Sequence, residues 1–405
     1  MLLFKKLRRI TGMGITYIIL TLFALIMLFP FLVMLFTSFK LPADTFHYPP
    51  RLLPYDPITT EWPGEEEPVP LYELEVDGEV GEYALIKSGI PIGIFSPPDD
   101  LDVVYEVPLQ EAEPVGGFVN QESVVIDGED VYLYEIQIDG VLTQVAQVGR
   151  TAWGRFVNTA DPEQEVLRNV RLSKPVEVVA FHPENYTKVI ELQAMDRTST
   201  NTLLVTIFVV LGQLSTSILG GYAFARIRFP GRDKIFLVYV GTIMVPFIVL
   251  IVPLYQLVNS LGWVNNIVNL IVPWLYTAYG TFLMRQYFMS VPKEIEEAAL
   301  IDGATRFQTL TNVILPGAVP AIATLGTFVF LYAWNSFLWP LVSINQGNKP
   351  AQVLTVTLSL LRGVSADNPN LILAGAAFAI GPPLLIYVFG QRYFVDSALS
   401  SGLKG

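Results

Sequence analysis

Apolar runs of membrane-spanning length dominate this chain. They lie at roughly residues 14–39, 202–225, 235–258, 267–289, 318–344 and 371–394, each near the ~20 residues an α-helix needs to cross a bilayer. Backbone in hydrocarbon must satisfy its own hydrogen bonds, so such runs fold as helices. Composition agrees. Of 405 residues, 52% are hydrophobic and 15% charged, and the mean hydropathy is +0.47, too apolar for a soluble protein of this size. The expected class is an all-α polytopic membrane protein with six transmembrane helices.

Charge sets the expected orientation. Lys5, Lys6, Arg8 and Arg9 precede the first run, which exceeds the ~7–15 apolar residues of a signal peptide and is followed by no A-x-A-like site. It reads as a retained helix. Arg226, Arg228, Arg232 and Lys234 lie between the second and third runs, Lys293 and Arg306 between the fourth and fifth, and Arg392 and Lys404 after the last. The stretch NSLGWVNN between the third and fourth has no base, and only Lys349 and Arg362 fall in the last outer loop. The positive-inside rule then puts both termini and residues 290–316 in the cytoplasm. The localisation expected is the cell membrane, multi-pass.

One block departs from this pattern. Residues 41–200 hold 30 acidic and 9 basic side chains, whereas the remainder holds 7 and 16. An acidic soluble block is thus set in a basic membrane frame, which argues against a nucleic-acid partner. It reads as short strands: LYELEV from Leu71, VVYEV from Val103, VYLYEIQI from Val131 and VEVVAF from Val176. Asp77-Gly78, Asp127-Gly128 and Asp139-Gly140 are turn pairs. An inserted extracytoplasmic all-β domain, barrel or sandwich, is expected over 59–180, with 1–58 carrying the first helix and 181–405 the other five. Glu65-Glu66-Glu67 reads as a solvated linker, Pro97-Pro98-Asp99-Asp100 as a loop, and Asn185-Tyr186-Thr187 matches a glycosylation sequon.

Without cysteine there are no disulfides, thiolate chemistry or Cys-based zinc sites. His47 and His182 sit near no acidic cluster of metal-ligand spacing. No metal site is expected.

The stretch SVPKEIEEAALIDGATRFQTLTNVILP, Ser290 to Pro316, combines charge, small residues and helical spacing. Pro292 suits a helix start, and Glu294, Glu296 and Glu297 favour its first turn. Ile295, Ala298, Ala299 and Asp302 share a flat face. Gly303 ends or kinks the helix where φ > 0 is needed. Thr305 can cap a second helix carrying Phe307, Leu310, Val313 and Ile314. A plain amphipathic connector fits these features too. Within the membrane runs, Tyr332, Trp334, Asn335 and Trp339 form the densest aromatic and amide set, which suits sugar faces and hydroxyls but also an interfacial aromatic belt. Gln213, with Ser215, Thr216 and Gly220-Gly221, gives a small-residue face of the kind that serves helix packing. Tyr255, with Gln256, Tyr276 and Tyr279, is a further candidate for lining a path.

Glu297-Ala298-Ala299, Gly303 and Val313-Ile314-Leu315-Pro316 closely resemble the EAA loop of ATP-binding-cassette importers. AWNSFLWPL resembles a signature of their carbohydrate, maltose-type branch. SFKLPADTFHYPPRLLP, NYTKVI, GGYAFARIRFPGRD and QRYFVDSALSSGLKG extend the likeness over roughly 1–58 and 180–405. The resemblance implies the type I importer permease fold and a binding-protein-dependent transport component of the inner membrane, not an enzyme. It implies as partners a second permease subunit, in a heterodimer or as a second copy of this chain, a cytoplasmic ATPase dimer, an extracytoplasmic solute-binding protein and a sugar solute. It further implies ATPase coupling through Glu297, Ala298, Ala299, Gly303, Phe307, Leu315 and Pro316. The substrate path expected from the residues is Tyr332, Trp334, Asn335 and Trp339, which the AWNSFLWPL resemblance supports, with Gln213 and Tyr255. The chain has no G-x-x-x-x-G-K-[ST] loop, so ATP and Mg would be bound by the partner ATPase, with no cofactor here. About 120 residues of the acidic block depart from the family pattern. For them, a glycoside-processing enzyme domain and a docking module both stay open.

Overall fold

The computed structural model describes residues 2–47, 49–117, 121–126, 129–138, 140–345 and 347–402, with side chains described only between 12 and 392 and not at 129. The Asp127-Gly128 pair, Asp139, Lys404 and the side chains of Lys5, Lys6, Arg8 and Arg9 lie outside that description. The chain forms two compact units, residues 1–54 with 181–405, and residues 55–180.

The first unit is helical. Its longer helices are α1 (Leu2–Thr37), α2 (Glu184–Gln193), α3 (Met195–Arg226), α4 (Arg232–Gly241), α5 (Phe247–Ser260), α6 (Ala278–Ser290), α7 (Lys293–Ile301), α8 (Val319–Trp334), α9 (Leu354–Val364) and α10 (Pro369–Gly402). Among the described residues four stretches are long and apolar enough to cross a membrane: Gly12–Thr37, Met195–Arg226, Val319–Ser343 and Pro369–Arg392. A fifth crossing exists if Arg232–Met244 and Phe247–Ser260, bent by 100°, count as one.

Two of the six expected helices are therefore not continuous, and proline is the cause. Val245, before Pro246, takes extended dihedrals, as steric clash with the proline ring demands. The run 267–289 becomes Val268–Ile271, a tight turn Val272–Trp274 containing Pro273, and then α6, capped by Thr277. No residue of the Gly12–Thr37 span is buried within this chain. A helix apolar all round is stable only against lipid or a partner.

The core of this unit lies between α3, α6 and α8, with Val205, Val209, Met284, Phe288 and Leu325 buried in it. Small residues permit the approach. A Cβ on Gly221 would come within 2.7 Å of the Met284 Cβ and 2.9 Å of the Arg285 amide nitrogen. At the end of α1 a buried polar clasp ties three segments together. Asn185 Nδ2 donates to the carbonyls of Ser38 (3.0 Å) and Lys40 (2.9 Å), and Asn370 Nδ2 also donates to Lys40 (2.9 Å). The Lys40 ammonium lies 3.5 Å from Asp44, which pairs with Arg51 at 2.6 Å. Asn185 is 1% exposed, so the sequon is closed to a glycosyl donor in the folded chain.

The second unit is antiparallel β. Lys174–Pro175, Val69–Val76, Glu79–Ser96, Val141–Asn158, Glu129–Ile138 and Glu113–Pro114 lie side by side in that order. Among the described residues the order is open at both ends, so of the two expected forms, barrel and sandwich, it is not a closed barrel. Register shifts after Leu85, Lys87 and Ile94 bend the two 18-residue strands. They thereby serve two cores, one around Tyr83, Leu85 and Phe156, the other around Phe95, Tyr134 and Val145. Asp77 and Gly78 both have positive φ, 54° and 84°, and join Val76 to Glu79 as a two-residue hairpin turn. The Glu65-Glu66-Glu67 segment is an exposed loop between Thr59–Thr60 and Val69–Val76, which pair with each other. It lies inside the unit and is not a linker to it.

Candidate functional site: an exposed helical loop and an aromatic pocket

Residues 290–316 fold as two helical pieces about one glycine. Pro292 sits at the cap of α7, with Glu294 and Glu296 in the first turn, where the helix dipole favours them. Gly303 has φ of 88°, a conformation that costs any L side chain, and the space around it is open. Thr305 then makes a reciprocal cap: its hydroxyl accepts from the Gln308 amide at 3.3 Å, and its own amide donates to Gln308 Oε1 at 2.8 Å. Beyond it Thr309–Ile314 forms a wide π-type turn that buries Leu310 and Ile314.

This arrangement leaves an apolar rim. Ile301 is 85% and Phe307 65% exposed, one on each side of Gly303. Glu297, Ala298 and Pro316 are exposed, and Ala299 and Leu315 half-buried. Exposed large apolar residues around a small flat face mark an interaction surface. Glu296 is different. It is buried, it accepts a 2.9 Å hydrogen bond from the Tyr222 hydroxyl, and Arg226 and Arg306 lie beside its carboxylate. Reading the sequence assigned Glu296 only to the first turn. The signal available was Tyr222 and Arg226, one turn apart on α3.

The intramembrane candidates divide between three places. Tyr332 and Trp339 line one small, partly open pocket of about 20 Å³ with Thr202, Val209, Trp274 and Ser336. Trp339 is 2% exposed, and its indole N–H donates to the Asn269 carbonyl at 3.1 Å. Gln213 does not enter the pocket. Its amide donates to the Trp274 carbonyl at 2.9 Å and so holds the wall. Trp334 faces the other way, because two residues along a helix turn about 200°. Its ring stacks on Phe330 at 5.7 Å and its N–H donates to Ala379 on α10 at 3.1 Å. Tyr332 thus keeps its ring in the pocket wall, whereas Trp334 is packed against Phe330 and α10. Asn335, at the end of α8, is exposed and donates back to the Leu331 carbonyl at 2.8 Å. Tyr255 lies in a separate open pocket with Asn265 and residues 341–345. Trp274, 6.0 Å from Tyr332 between ring centres, was not singled out in the sequence. Among the described residues no group of three or more metal-ligating side chains is placed to hold a metal ion.

Both places fall within residues 199–398, which match the family model described as "Binding-protein-dependent transport system inner membrane component". The arabinooligosaccharides transport system permease protein AraQ of Halalkalibacterium halodurans is 34% identical over 205 residues, 51% of this chain and 73% of that protein. The osmoprotective compounds uptake permease protein GgtD of Synechocystis sp. is 30% identical over 259 residues, 62% of this chain and 86% of that one. The sn-glycerol-3-phosphate transport system permease protein UgpE of Pectobacterium atrosepticum is 32% identical over 201 residues, 50% and 72% of the respective chains. With its apolar helices, this chain therefore belongs to the inner-membrane components of binding-protein-dependent transport systems, the multi-pass permease subunits of ATP-binding-cassette importers.

Proposed function

We propose that this chain lines half of the translocation path of a sugar importer and couples it to a separate ATPase through residues 290–316. The observation that carries the reading is the loop itself. Ile301 and Phe307 stand exposed about the left-handed Gly303, beside the flat face of Glu297 and Ala298. Such a rim fits a hydrophobic cleft on a cytoplasmic partner. ATP closure of an ATPase dimer would then move the loop, and with it α3 and α8, opening the path by rigid-body rotation. ATP and Mg belong to that partner. A second permease subunit completes the path, and the Gly12–Thr37 span, with no residue fully buried in this chain, is one helix it can cover.

The relatives named for arabinooligosaccharides favour a hydroxylated solute, and the exposed Tyr332 ring, 6.0 Å from Trp274 between ring centres, supports that class as a face on which a sugar ring can stack. The orientation we infer counts the bent pair and the split run 267–289 as crossings. That gives six, with both termini and the loop in the cytoplasm and residues 55–180 outside. Those residues carry 26 acidic and 6 basic side chains, and none of the bases lies between Ser88 and Gly149. We read them as a docking module for a solute-binding protein with a basic face, an association that weakens with salt. The test is uptake of labelled arabino-oligosaccharide into vesicles holding the assembled importer and internal ATP. Uptake that needs this chain and ATP supports the proposal. ATP-dependent uptake unaffected by its omission overturns it.

A further inference from the structure

Two adjacent carboxylates on α7 have opposite fates. Glu297 is exposed, while Glu296 is 8% exposed and surrounded by groups from other elements. The Tyr222 hydroxyl donates to its Oε1 at 2.9 Å. Arg226 Nε lies 3.6 Å from Oε2, and Arg306 Nη1 lies 3.7 Å from Oε1. The same Arg226 donates through Nη2 to the carbonyls of Phe288 (2.6 Å) and Val291 (2.5 Å), where α6 ends. One carboxylate therefore gathers α3, the end of α6, α7 and the segment beyond Gly303.

Burying a carboxylate for stability alone has little to recommend it. A well-packed apolar residue usually stabilises as much or more, because the charges must first be desolvated. What a buried charged node does supply is register. Its members tolerate few mutual positions, so elements that share it move together. The node is also not fully closed. Arg226 Nε is buried without a hydrogen-bond acceptor, and the Glu296 carboxylate sits just beyond bonding range. A shift of α7 by less than about 1 Å would complete a charge-assisted bond. A shift the other way would leave two buried charges further apart.

We propose that Glu296 is the positioning residue through which motion of the 290–316 loop passes to α3, with Tyr222 and Arg226 as its receivers. This rests on the reading of that loop as the ATPase-coupling element. It makes Glu296 a transmitter of movement, and leaves contact with the ATPase to Glu297, Ile301 and Phe307.

The experiment uses the complete importer with Mg-ATP as the probe. It measures retained ATPase per permease, and kcat and KM for ATP. Glu296→Gln keeps the shape and an acceptor for Tyr222 but removes the charge. Tyr222→Phe removes one hydrogen bond and keeps both ion pairs. The expected result for each is wild-type retention of ATPase, KM within about twofold and kcat changed by about fivefold or more, with the double variant no worse than Glu296→Gln. Wild-type kcat in both variants overturns the proposal. So does loss of the ATPase in Tyr222→Phe, which would make the node part of the docking surface. Should Glu296→Gln fail to assemble, Tyr222→Phe decides alone. A separate control is Phe307→Ala with Ile301→Ala. Normal retention and normal turnover in that variant overturn the coupling-loop reading beneath the proposal, and so the proposal with it.

Discussion

Tyr55 and Val179 face each other across an antiparallel strand pair that continues through Asp56 with Val178 and Pro57 with Glu177. The first and last strands of the β unit are thus neighbours, and its two ends leave the sheet about 5 Å apart. Such an insertion perturbs its host little. Replacing residues 55–180 by a short Gly-Ser linker should leave a helical unit that purifies and melts like the parent. The excised segment should give a cooperative melt and a β-type circular dichroism spectrum. A segment that shows neither would contradict its independence.

Gly303 separates backbone strain from crowding. Its φ is 88°, yet an added Cβ would meet nothing within 4 Å. Gly303→Val should therefore cost about 2 kcal/mol in the loop conformation, Gly303→Ala about 1, and Gly303→Asn less, since Asn tolerates the left-handed region. Coupled transport should fall in that order, Val worst. Equal loss in all three would point to a missing contact instead of strain.

The two aromatic residues of the fifth predicted span should behave differently. Trp334 is buried on Phe330 and α10, so Trp334→Ala should lower the stability of the purified chain by about 3–5 kcal/mol, read as a lower melting temperature in detergent. Tyr332 is 54% exposed in the pocket wall, so Tyr332→Ala should leave the melt nearly unchanged and reduce solute uptake. The opposite pattern would exchange their assignments.

Asp44 balances two bases at the end of α1. Its side chain is 3% exposed and that of Lys40 4%. Asp44→Asn would leave the Lys40 ammonium buried without its counter-charge, at about 3–5 kcal/mol. Asp44→Asn with Lys40→Met should recover much of that. A melt as stable as wild type in the single variant would count against the clasp.

The legible parts were those written in local chemistry. Gly303 and Asp77-Gly78 advertised positive φ, Thr305 advertised a cap, and runs near 20 apolar residues advertised crossings. The breaks were harder. Pro246 and Pro273 announce irregularity, but a kink in one helix and a 100° bend between two look alike in sequence. The two longest strands, Glu79–Ser96 and Val141–Asn158, escaped notice because Gly89, Gly93, Gly149 and Gly154 interrupt their alternation near the bends. Gly93 and Gly154 are needed there, since a Cβ would strike Phe95 or Leu85 at 2.3–2.4 Å. Glu296 escaped for another reason. Adjacent glutamates on an amphipathic helix are interchangeable to the eye, and only the long-range approach of Tyr222 and Arg226 distinguishes them. The same holds for Trp334 and Tyr332, whose roles depend on which neighbour each helix face meets.

The claim that residues 290–316 receive an ATPase is the most directly testable. The chain has no native cysteine, so a single one can be placed at will. Phe307→Cys, in a complex with the ATPase subunit, should cross-link to it with a short thiol reagent. The yield should change on ATP addition, and the same reagent should give no product from Val125→Cys on the β unit. Absence of any ATPase adduct from Phe307→Cys, in a complex that still hydrolyses ATP and imports solute, would contradict the account.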